Sequence, residues 1–152
     1  MHRLLLSART WVWLLVAIAT PVAMAQTVSI GSTEVSEFDA TAVFTITLEV
    51  SYDGDINVYV STVDGTAIAG SDYTSVFEGL VTIVAGSTTG TFAVSMIDDA
   101  VVEGDETFDA TISAVSAGAI GVATGTAYVY DDDVETVVVP DLNFYGVTVV
   151  EG

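Results

Sequence analysis

Basic residues are nearly absent from this sequence, and cysteine is entirely absent. The 152 residues include two arginines, no lysine and a single histidine, against 21 aspartates and glutamates, for a formal net charge of −19 at pH 7. The only basic side chains are those of His2, Arg3 and Arg9. Without cysteine no disulfide can stabilise the fold, so side-chain packing, with or without a metal ion, must do so.

This shortage of basic side chains excludes several classes of function. Nucleic-acid binding requires Lys or Arg to neutralise phosphates, and neither occurs after Arg9. Catalysis by His, Cys or Lys has no residues on which to depend. A glycosidase could use a pair of carboxylates alone, but no cleft lined by aromatic residues is indicated. We therefore expect a protein that is not an enzyme.

The first 25 residues have the three parts of a secretory signal peptide. They are a basic start with both arginines, an apolar run at 11–19, and the small-x-small sequence Ala23-Met24-Ala25. The alternative, a membrane anchor, needs an apolar run of about 20 residues, and this run is shorter and is followed by Pro21. We expect cleavage after Ala25, no membrane span, and export. The protein would be secreted or on the cell surface (periplasmic or on the outer surface if the host is Gram-negative).

Cleavage would leave a chain with 21 negative charges and no cationic side chain. Internal salt bridges are then impossible, so each carboxylate must be solvated, hydrogen-bonded, protonated or bound to a metal ion. A generic acidic surface that confers solubility is the simplest alternative. That alternative predicts evenly spaced acids, whereas those of this sequence are clustered.

The apolar residues after the signal alternate with polar ones at a period of two. Phe44, Ile46, Leu48 and Val50 show the pattern, which returns near residues 58, 82, 94, 110 and 128. Such alternation, rich in Val, Ile and Thr, is typical of half-buried strands, and Asp-Gly and Ala-Gly pairs between the runs favour turns. Residues 26–133 are therefore predicted to be all-β, an immunoglobulin-like, two-sheet antiparallel β-sandwich of about seven strands.

A first-strand pattern recurs near the end of the sequence. Residues 28–37 align without gaps with residues 142–151, with apolar positions on apolar positions and Glu37 on Glu151. The alignment predicts a tandem array, with a linker at 134–141 and the start of a truncated second repeat at 142–152. Chance similarity between two short, Val-rich strands is the alternative. Neighbouring repeats of the same chain are the expected partners, and surface proteins or glycans are further candidates.

The carboxylates lie in clusters at the ends of predicted strands, at Glu37, at Asp72, in residues 98–106 and in residues 131–133. Consecutive aspartates without nearby cations repel one another, and divalent cations would remove this repulsion. Carboxylates without imidazole or thiolate favour hard ions, and Ca²⁺ over Mg²⁺ because it accepts 6–8 oxygens in loose geometry. The sequence thus predicts a site for about two to four calcium ions, assembled from distant loops.

Four motifs, in order along the chain, resemble those of the Calx-beta domain family. They are Val35-Ser36-Glu37, Asp64-Gly65-Thr66-Ala67 with Ala69-Gly70-Ser71-Asp72-Tyr73, Asp98-Asp99 with Glu103-Gly104-Asp105-Glu106-Thr107-Phe108, and Tyr128-Val129-Tyr130-Asp131-Asp132-Asp133. The family occurs in the regulatory part of sodium–calcium exchangers, in integrin β4 and in large bacterial surface proteins. The resemblance implies a sandwich with calcium ions at one end.

By this resemblance ten residues would bind calcium, nine through carboxylates and Val101 through its backbone carbonyl. They are Glu37, Asp72, Asp98, Asp99, Val101, Glu103, Glu106, Asp131, Asp132 and Asp133. The sequence departs from the family at Phe38, where a glycine is usual, which puts the conformation of the opening turn in question. Asp64 and Gly65 are expected to shape a turn, with Asp64 as an outside candidate ligand, and Tyr73 is expected to be a core or corner tyrosine.

Three functions are compatible with these observations. The leading hypothesis is a calcium-binding structural and adhesive repeat of an exported bacterial surface or matrix protein, in which Ca²⁺ clamps the acidic loops and stiffens the junction between repeats. The second is a metal-free β-sandwich that serves as a spacer or protein-interaction module. The third, a calcium sensor coupled to transport, suits the exchanger members of the family but poorly suits a chain with a secretion signal.

Overall fold

Nine strands form two packed sheets in the computed structural model, which describes residues 26–135. Their bounds are β1 (Thr27–Ile30), β2 (Thr33–Ser36), β3 (Thr41–Leu48), β4 (Ile56–Asp64), β5 (Gly79–Ile83), β6 (Thr89–Ser95), β7 (Glu106–Val115), β8 (Ala119–Ile120) and β9 (Thr124–Tyr130). One sheet has the strand order β6-β3-β1-β8, and the other has the order β2-β9-β7-β4-β5. The described range contains no helix, and the predicted all-β sandwich is confirmed.

Some of the predicted segments lie outside the described residues. They are the signal peptide at 1–25, the start of a second repeat at 142–152, and all but the first two residues of the linker at 134–141. Within residues 26–135, no helix has the length and apolar character that a membrane crossing requires.

The structure has nine strands where the sequence predicted about seven, and two of its strand pairs are parallel. The segment predicted as a single first strand divides at Gly31 and Ser32, so β1 pairs with β3 in one sheet and β2 pairs with β9 in the other. The β1–β8 and β2–β9 pairs are parallel. The buried positions have even residue numbers in β1, which ends at Ile30, and an odd number in β2, at Val35. This change in the alternation marks the crossing in the sequence.

Alternating side chains from both sheets form the core between them. On β3, the buried Phe44, Ile46 and Leu48 alternate with exposed residues. The ring of Phe44 contacts those of Phe92 in the same sheet and Phe108 in the opposite sheet, at centroid distances of 6.2 and 5.9 Å. Full burial of an apolar side chain of this size stabilises the fold by about 1.5–3 kcal/mol. The core therefore fixes the two sheets against each other.

Six strands begin or end at the same end of the sandwich. β2, β4, β6 and β9 end there, while β3 and β7 begin there, as the strand registers show. For example, Ser36 lies beside Tyr130, and Thr41 lies beside Ser95. We call this the acidic end, because the segments that adjoin these six strand termini carry the predicted ligands. Those segments are 37–40, 65–78, 96–105 and 131–135.

Candidate metal centre

Glu37 follows β2 directly and is buried, with 6% of its surface exposed. Its backbone N–H donates a hydrogen bond of 3.0 Å to the carbonyl of Tyr130, which extends the β2–β9 pairing by one residue. Carboxylate oxygens of Glu37, Asp131 and Asp133 lie within 4.8 Å of one another. We call these three residues the first group. The pairing of two distant strands thus brings together residues that are far apart in the sequence.

A second group of three carboxylates, from Asp72, Glu103 and Glu106, meets the same distance condition. Asp72 is buried, with 9% of its surface exposed, and Glu106 is half-buried at the start of β7, whereas Glu103 is exposed. The carboxyl groups of Glu106 and Asp72 are close enough for a shared hydrogen bond, which contributes to the raised pKa of Glu106. A hydrogen bond between two carboxyl groups requires a proton on one of them, so a cation is the natural substitute for that proton.

Crowding and burial raise the pKa of carboxyl groups in both groups. Burial is the main cause for Glu37, and the charge of Asp99 adds to it, while a hydrogen bond from the Asp99 backbone partly opposes the rise in pKa. For Glu106 burial again comes first, followed by the charge of Asp72 and the hydrogen bond with that residue. Desolvation, followed by the charges of neighbouring carboxylates, also raises the pKa values of Glu103 and Asp133. The described residues include no Lys, Arg or His that could offset these charges.

Asp131 connects the two groups. Its Oδ2 accepts a hydrogen bond of 2.7 Å from the backbone N–H of Glu103, and its Oδ1 accepts one of 2.9 Å from the backbone N–H of Asp133. The first bond joins a carboxylate of the first group to the backbone of a residue in the second. The two groups are therefore parts of one site, and the 96–105 segment, exposed from residue 98 onward, is attached to the end of β9 through this bond.

Three predicted ligands of the 96–105 segment, Asp98, Asp99 and Val101, are exposed and belong to neither group. The charges of Asp98 and Asp99 help to raise the pKa of Asp133, and that of Asp99 acts on Glu37 as well, so both aspartates lie near the first group. The Oδ1 of Asp99 accepts a hydrogen bond of 2.7 Å from the backbone N–H of Val101. The role of these three residues as ligands stays a prediction.

Asp132 belongs to neither group, although both of its neighbours belong to the first. Its Oδ1 accepts hydrogen bonds from the backbone N–H of Phe38 at 3.2 Å and from the hydroxyl of Ser36 at 3.5 Å. Asp132 thus stabilises the turn in which Phe38 stands where the family usually has glycine, and Phe38 is 71% exposed. Its role as a ligand stays a prediction, and the contact that the structure shows is with this turn.

Asp64 and Tyr73 lie beside the second group without belonging to it. Tyr73 is 1% exposed, and its ring stacks on that of Phe108 at a centroid distance of 4.1 Å, as expected for a core tyrosine. Its hydroxyl donates a hydrogen bond of 2.6 Å to the Oδ1 of Asp64. This bond lowers the pKa of Asp64, while burial and the bond raise the pKa of Tyr73 to about 12. The sequence did not predict this contact, because only folding shows that the two ends of the loop meet.

Both groups consist entirely of residues that the sequence predicted as ligands, and their chemistry fits Ca²⁺. All six donors are carboxylates, which suit hard cations. Ligand oxygens lie 2.3–2.6 Å from Ca²⁺, so two oxygens on opposite sides of one ion are about 4.6–5.2 Å apart. Oxygens within 4.8 Å of one another can therefore contact a single calcium ion. Mg²⁺ binds at 2.0–2.1 Å, demands near-ideal octahedral geometry and usually keeps several waters, so a site made of protein carboxylates suits it less well than Ca²⁺.

Comparisons with known proteins identify the family and the fold. A family model described as the Calx-beta domain matches residues 23–138. No curated protein sequence matches the chain. Among solved structures, the apo-form Calx CBD1 domain is similar, with a TM-score of 0.66 and 27% sequence identity over 72% of this chain and 99% of that one.

Two longer solved structures are also similar. They are CBD12 from CALX1.2, with a TM-score of 0.65, and the calcium binding domain CBD12 of CALX1.1, with a TM-score of 0.63. Each is 28% identical to this chain and aligns with 70% of it. The aligned part spans 46% of the first structure and 44% of the second, so this chain corresponds to less than half of either.

Proposed function

This chain belongs to the Calx-beta domain family, and we propose that it is a calcium-binding structural module of an exported protein. The acidic loops at one end of the sandwich would be held together through their carboxylates by bound Ca²⁺. The observation that carries the proposal is the meeting of six carboxylates in two groups of three, where the described residues offer no cationic side chain. One similar solved structure is itself named as a calcium binding domain.

The two groups would hold the ions. The first group, Glu37, Asp131 and Asp133, would bind one calcium ion. The second group, Asp72, Glu103 and Glu106, would bind another. Calcium would supply the positive charge that this end of the chain lacks. Asp98 and Asp99 lie near enough to act electrostatically on the first group, so they remain candidates for further ligands there.

Repulsion between carboxylates explains why binding would stabilise the fold. Two like charges about 4 Å apart repel by about 1 kcal/mol in bulk water and by about 4 kcal/mol near a protein surface. In the folded chain these carboxylates are close together, whereas in the unfolded chain they are far apart. A cation that binds only the folded arrangement stabilises it by mass action, to an extent set by concentration and affinity.

The acidic end would also influence the junction with a neighbouring repeat. Asp133 of the first group immediately precedes the predicted linker at 134–141, so a ligand of the ion lies where the chain leaves the domain. Fixing Asp133 would restrict the direction in which the linker departs. The signal-like residues 1–25 and the recurrence of residues 28–37 at 142–151 support an exported protein with repeats, in a structural and adhesive role at a bacterial surface or in a matrix.

Isothermal titration calorimetry of the purified chain tests calcium binding. The double variant Glu37→Gln/Asp133→Asn disables the first group, and Asp72→Asn/Glu106→Gln disables the second. Each should abolish part of the calcium binding that the wild-type chain shows at about 1 mM Ca²⁺, a concentration that even weak extracellular modules bind. Both variants remove two negative charges.

The matched control is Glu49→Gln/Asp53→Asn, which removes two exposed carboxylates near the opposite end of the sandwich. It should leave calcium binding unchanged, since neither residue belongs to a group. A wild-type chain that takes up no calcium would overturn the proposal in favour of a metal-free spacer. So would equal losses in the control and in the site variants, because they would indicate diffuse attraction to a negative surface.

A further inference from the structure

We propose that the hydrogen bond between Tyr73 and Asp64 positions Asp72 against Glu106, which makes Tyr73 and Asp64 positioning residues for the second group. This inference rests on the proposed function of that group as a calcium site. Neither residue is a member of the group, and the bond between them lies across the base of the loop that presents Asp72.

Carboxylates at both ends hold the loop between Asp64 and Asp72 closed. The Oδ1 of Asp64 accepts hydrogen bonds from the hydroxyl of Tyr73 at 2.6 Å and from the backbone N–H of Ala69 at 2.9 Å. The Oδ2 of Asp72 accepts one of 2.6 Å from the backbone N–H of Ile68. Asp64 fixes the position of the Ala69 amide. Because Ile68 precedes Ala69 directly, the position of the Ile68 amide, which binds Asp72, is then fixed as well. The orientation of the Asp72 carboxylate therefore depends on Asp64.

The same loop is attached to the start of β7, which carries Glu106. The backbone N–H of Ala67 donates a hydrogen bond of 3.0 Å to the carbonyl of Thr107, and the N–H of Thr107 donates one of 2.8 Å to the hydroxyl of Thr66. Gly65 lies so close to the same strand that a Cβ atom there would be 2.3 Å from the Thr107 carbonyl oxygen. The neighbour of Glu106 is thus bonded on both of its backbone groups to the loop that ends at Asp72.

Tyr73 joins the loop to the core at the same place. Its ring stacks on that of Phe108 with 14° between the planes, and Phe108 is two residues from Glu106. Stacking alone fixes the distance between two rings but leaves rotation and sliding of one against the other. A hydrogen bond from the buried hydroxyl to the side-chain oxygen of Asp64 is directional, so it fixes the remaining freedom. The backbone of Asp72, the next residue, is fixed with it.

The requirement at position 64 is for an oxygen acceptor rather than for a negative charge. Both hydrogen bonds at Asp64 are accepted by the same atom, Oδ1. An asparagine side chain carries one carbonyl oxygen of the same geometry, whereas alanine carries none. Asp64→Asn and Asp64→Ala therefore separate positioning from direct coordination or general charge, since both variants remove the charge and only one removes the acceptor.

In calorimetric titration with Ca²⁺, Asp64→Ala should lose roughly tenfold in affinity at the second group. This is the lower end of the range of losses seen when a residue that orients a metal ligand is removed. Asp64→Asn should remain close to the wild-type chain. The loss should persist when the first group is disabled by Glu37→Gln/Asp133→Asn and should disappear when the second is disabled by Asp72→Asn/Glu106→Gln. Equal losses in Asp64→Asn and Asp64→Ala would overturn the proposal.

A stability control and a metal-free measurement complete the test. Ile83→Val removes one methylene from a buried residue that pairs with Ile56 at the opposite end of the sandwich, so it should lower stability without changing calcium affinity. In EGTA, hydrogen exchange of the Ile68 amide should be faster in Asp64→Ala and nearly unchanged in Asp64→Asn. Unchanged exchange in Asp64→Ala would sink the positioning role even if calcium binds. Faster exchange in a chain that binds no calcium would support the positioning of Asp72 while refuting the proposed function.

Discussion

The backbone N–H of Glu103 donates a hydrogen bond of 2.7 Å to the Oδ2 of Asp131, although the two residues belong to different groups. Asp131 follows β9, and Glu103 lies in the exposed segment before β7, so the bond crosses between two separate parts of the chain. Any change that orders the carboxylate of Asp131 also orders the backbone of Glu103. The two groups are therefore physically connected, and binding at one should influence binding at the other.

The first prediction is that Asp131→Asn weakens calcium binding at both groups. The two carboxylate oxygens of Asp131 each accept a backbone hydrogen bond, and asparagine has only one oxygen to replace them. In a chain whose first group is already disabled by Glu37→Gln/Asp133→Asn, the added Asp131→Asn should still lower affinity, by roughly tenfold. Asp53→Asn, which removes the same charge from an exposed residue near the opposite end of the sandwich, is the control. No further loss in that background would show that the groups are independent.

The second prediction concerns the pH dependence of the metal-free chain. The folded-state pKa values of Glu37, Glu103 and Glu106 are raised above the ordinary value of 4.5, and that of Asp133 is raised above 3.8. Between the ordinary and the raised values the folded chain binds more protons than the unfolded chain. The free energy of unfolding must then fall as pH increases through that window. The contribution of Asp64 to stability has the opposite pH dependence, because its pKa is lowered. This contribution is present above pH 3.8 and is lost as the pH falls below that value.

Thermal denaturation in EGTA checks this prediction. The melting temperature should be higher near about pH 5 than near about pH 8, opposite to the usual loss of stability in acid. Glu37→Gln/Glu106→Gln should flatten the profile, because two of the groups with raised pKa values no longer titrate. Saturating Ca²⁺ should flatten it as well, since a bound cation replaces the proton. A melting temperature that rises steadily with pH in EGTA would contradict the pKa shifts.

The third prediction is selectivity for Ca²⁺ over Mg²⁺ in stabilising the chain. At a concentration one hundred times the dissociation constant, a ligand adds about 2.7 kcal/mol to the free energy of unfolding. For a domain of this size each kcal/mol corresponds to about 4 °C or more in melting temperature. Calcium should therefore raise the melting temperature by about 10 °C when saturating. Mg²⁺ at the same concentration should raise it much less, since Mg²⁺ demands near-ideal octahedral geometry and gives up its waters reluctantly. Equal shifts with both ions would indicate only screening of charge.

Much of the fold could be predicted from the sequence, and so could the set of ten candidates from which both groups are drawn, for physical reasons. Strand alternation identifies core residues such as Phe44. Clusters of acids at strand ends must lie at one of the two ends of a sandwich. The roles within a cluster were harder to predict. In an extended chain Asp131 and Asp133 lie on the same side and Asp132 on the other, so three consecutive aspartates are not equivalent. The hydrogen bond between Tyr73 and Asp64 depends on how a loop closes, and no periodicity records that.

The place where the first strand changes sheets shows the same limit. The chain crosses between β1 and β2 at Gly31 and passes over Gly125 of β9, where a Cβ atom would lie 2.3 Å from the carbonyl oxygen of Gly31 and 2.9 Å from its carbonyl carbon. Gly125 does not have a positive φ. Its importance therefore comes from the close approach of two backbones, which the sequence alone does not reveal.

The fourth prediction is that Gly125→Ala destabilises the chain by at least the 1–3 kcal/mol that is typical of overpacking, and lowers the melting temperature by about 5 °C or more. The two nearest atoms that the new methyl group would meet belong to the backbone of Gly31. Because β1 is paired with β3 on one side of the crossing and β2 with β9 on the other, neither part can move away cheaply. Gly104→Ala is the matched control, because a Cβ atom there would meet nothing within 4 Å. It should be neutral, or slightly stabilising through a loss of freedom in the unfolded chain. If thermal melts in EGTA show the two variants to be equally stable, the backbones at the crossing are further apart than this structure has them, and the division of the first strand between the sheets would have to be drawn differently.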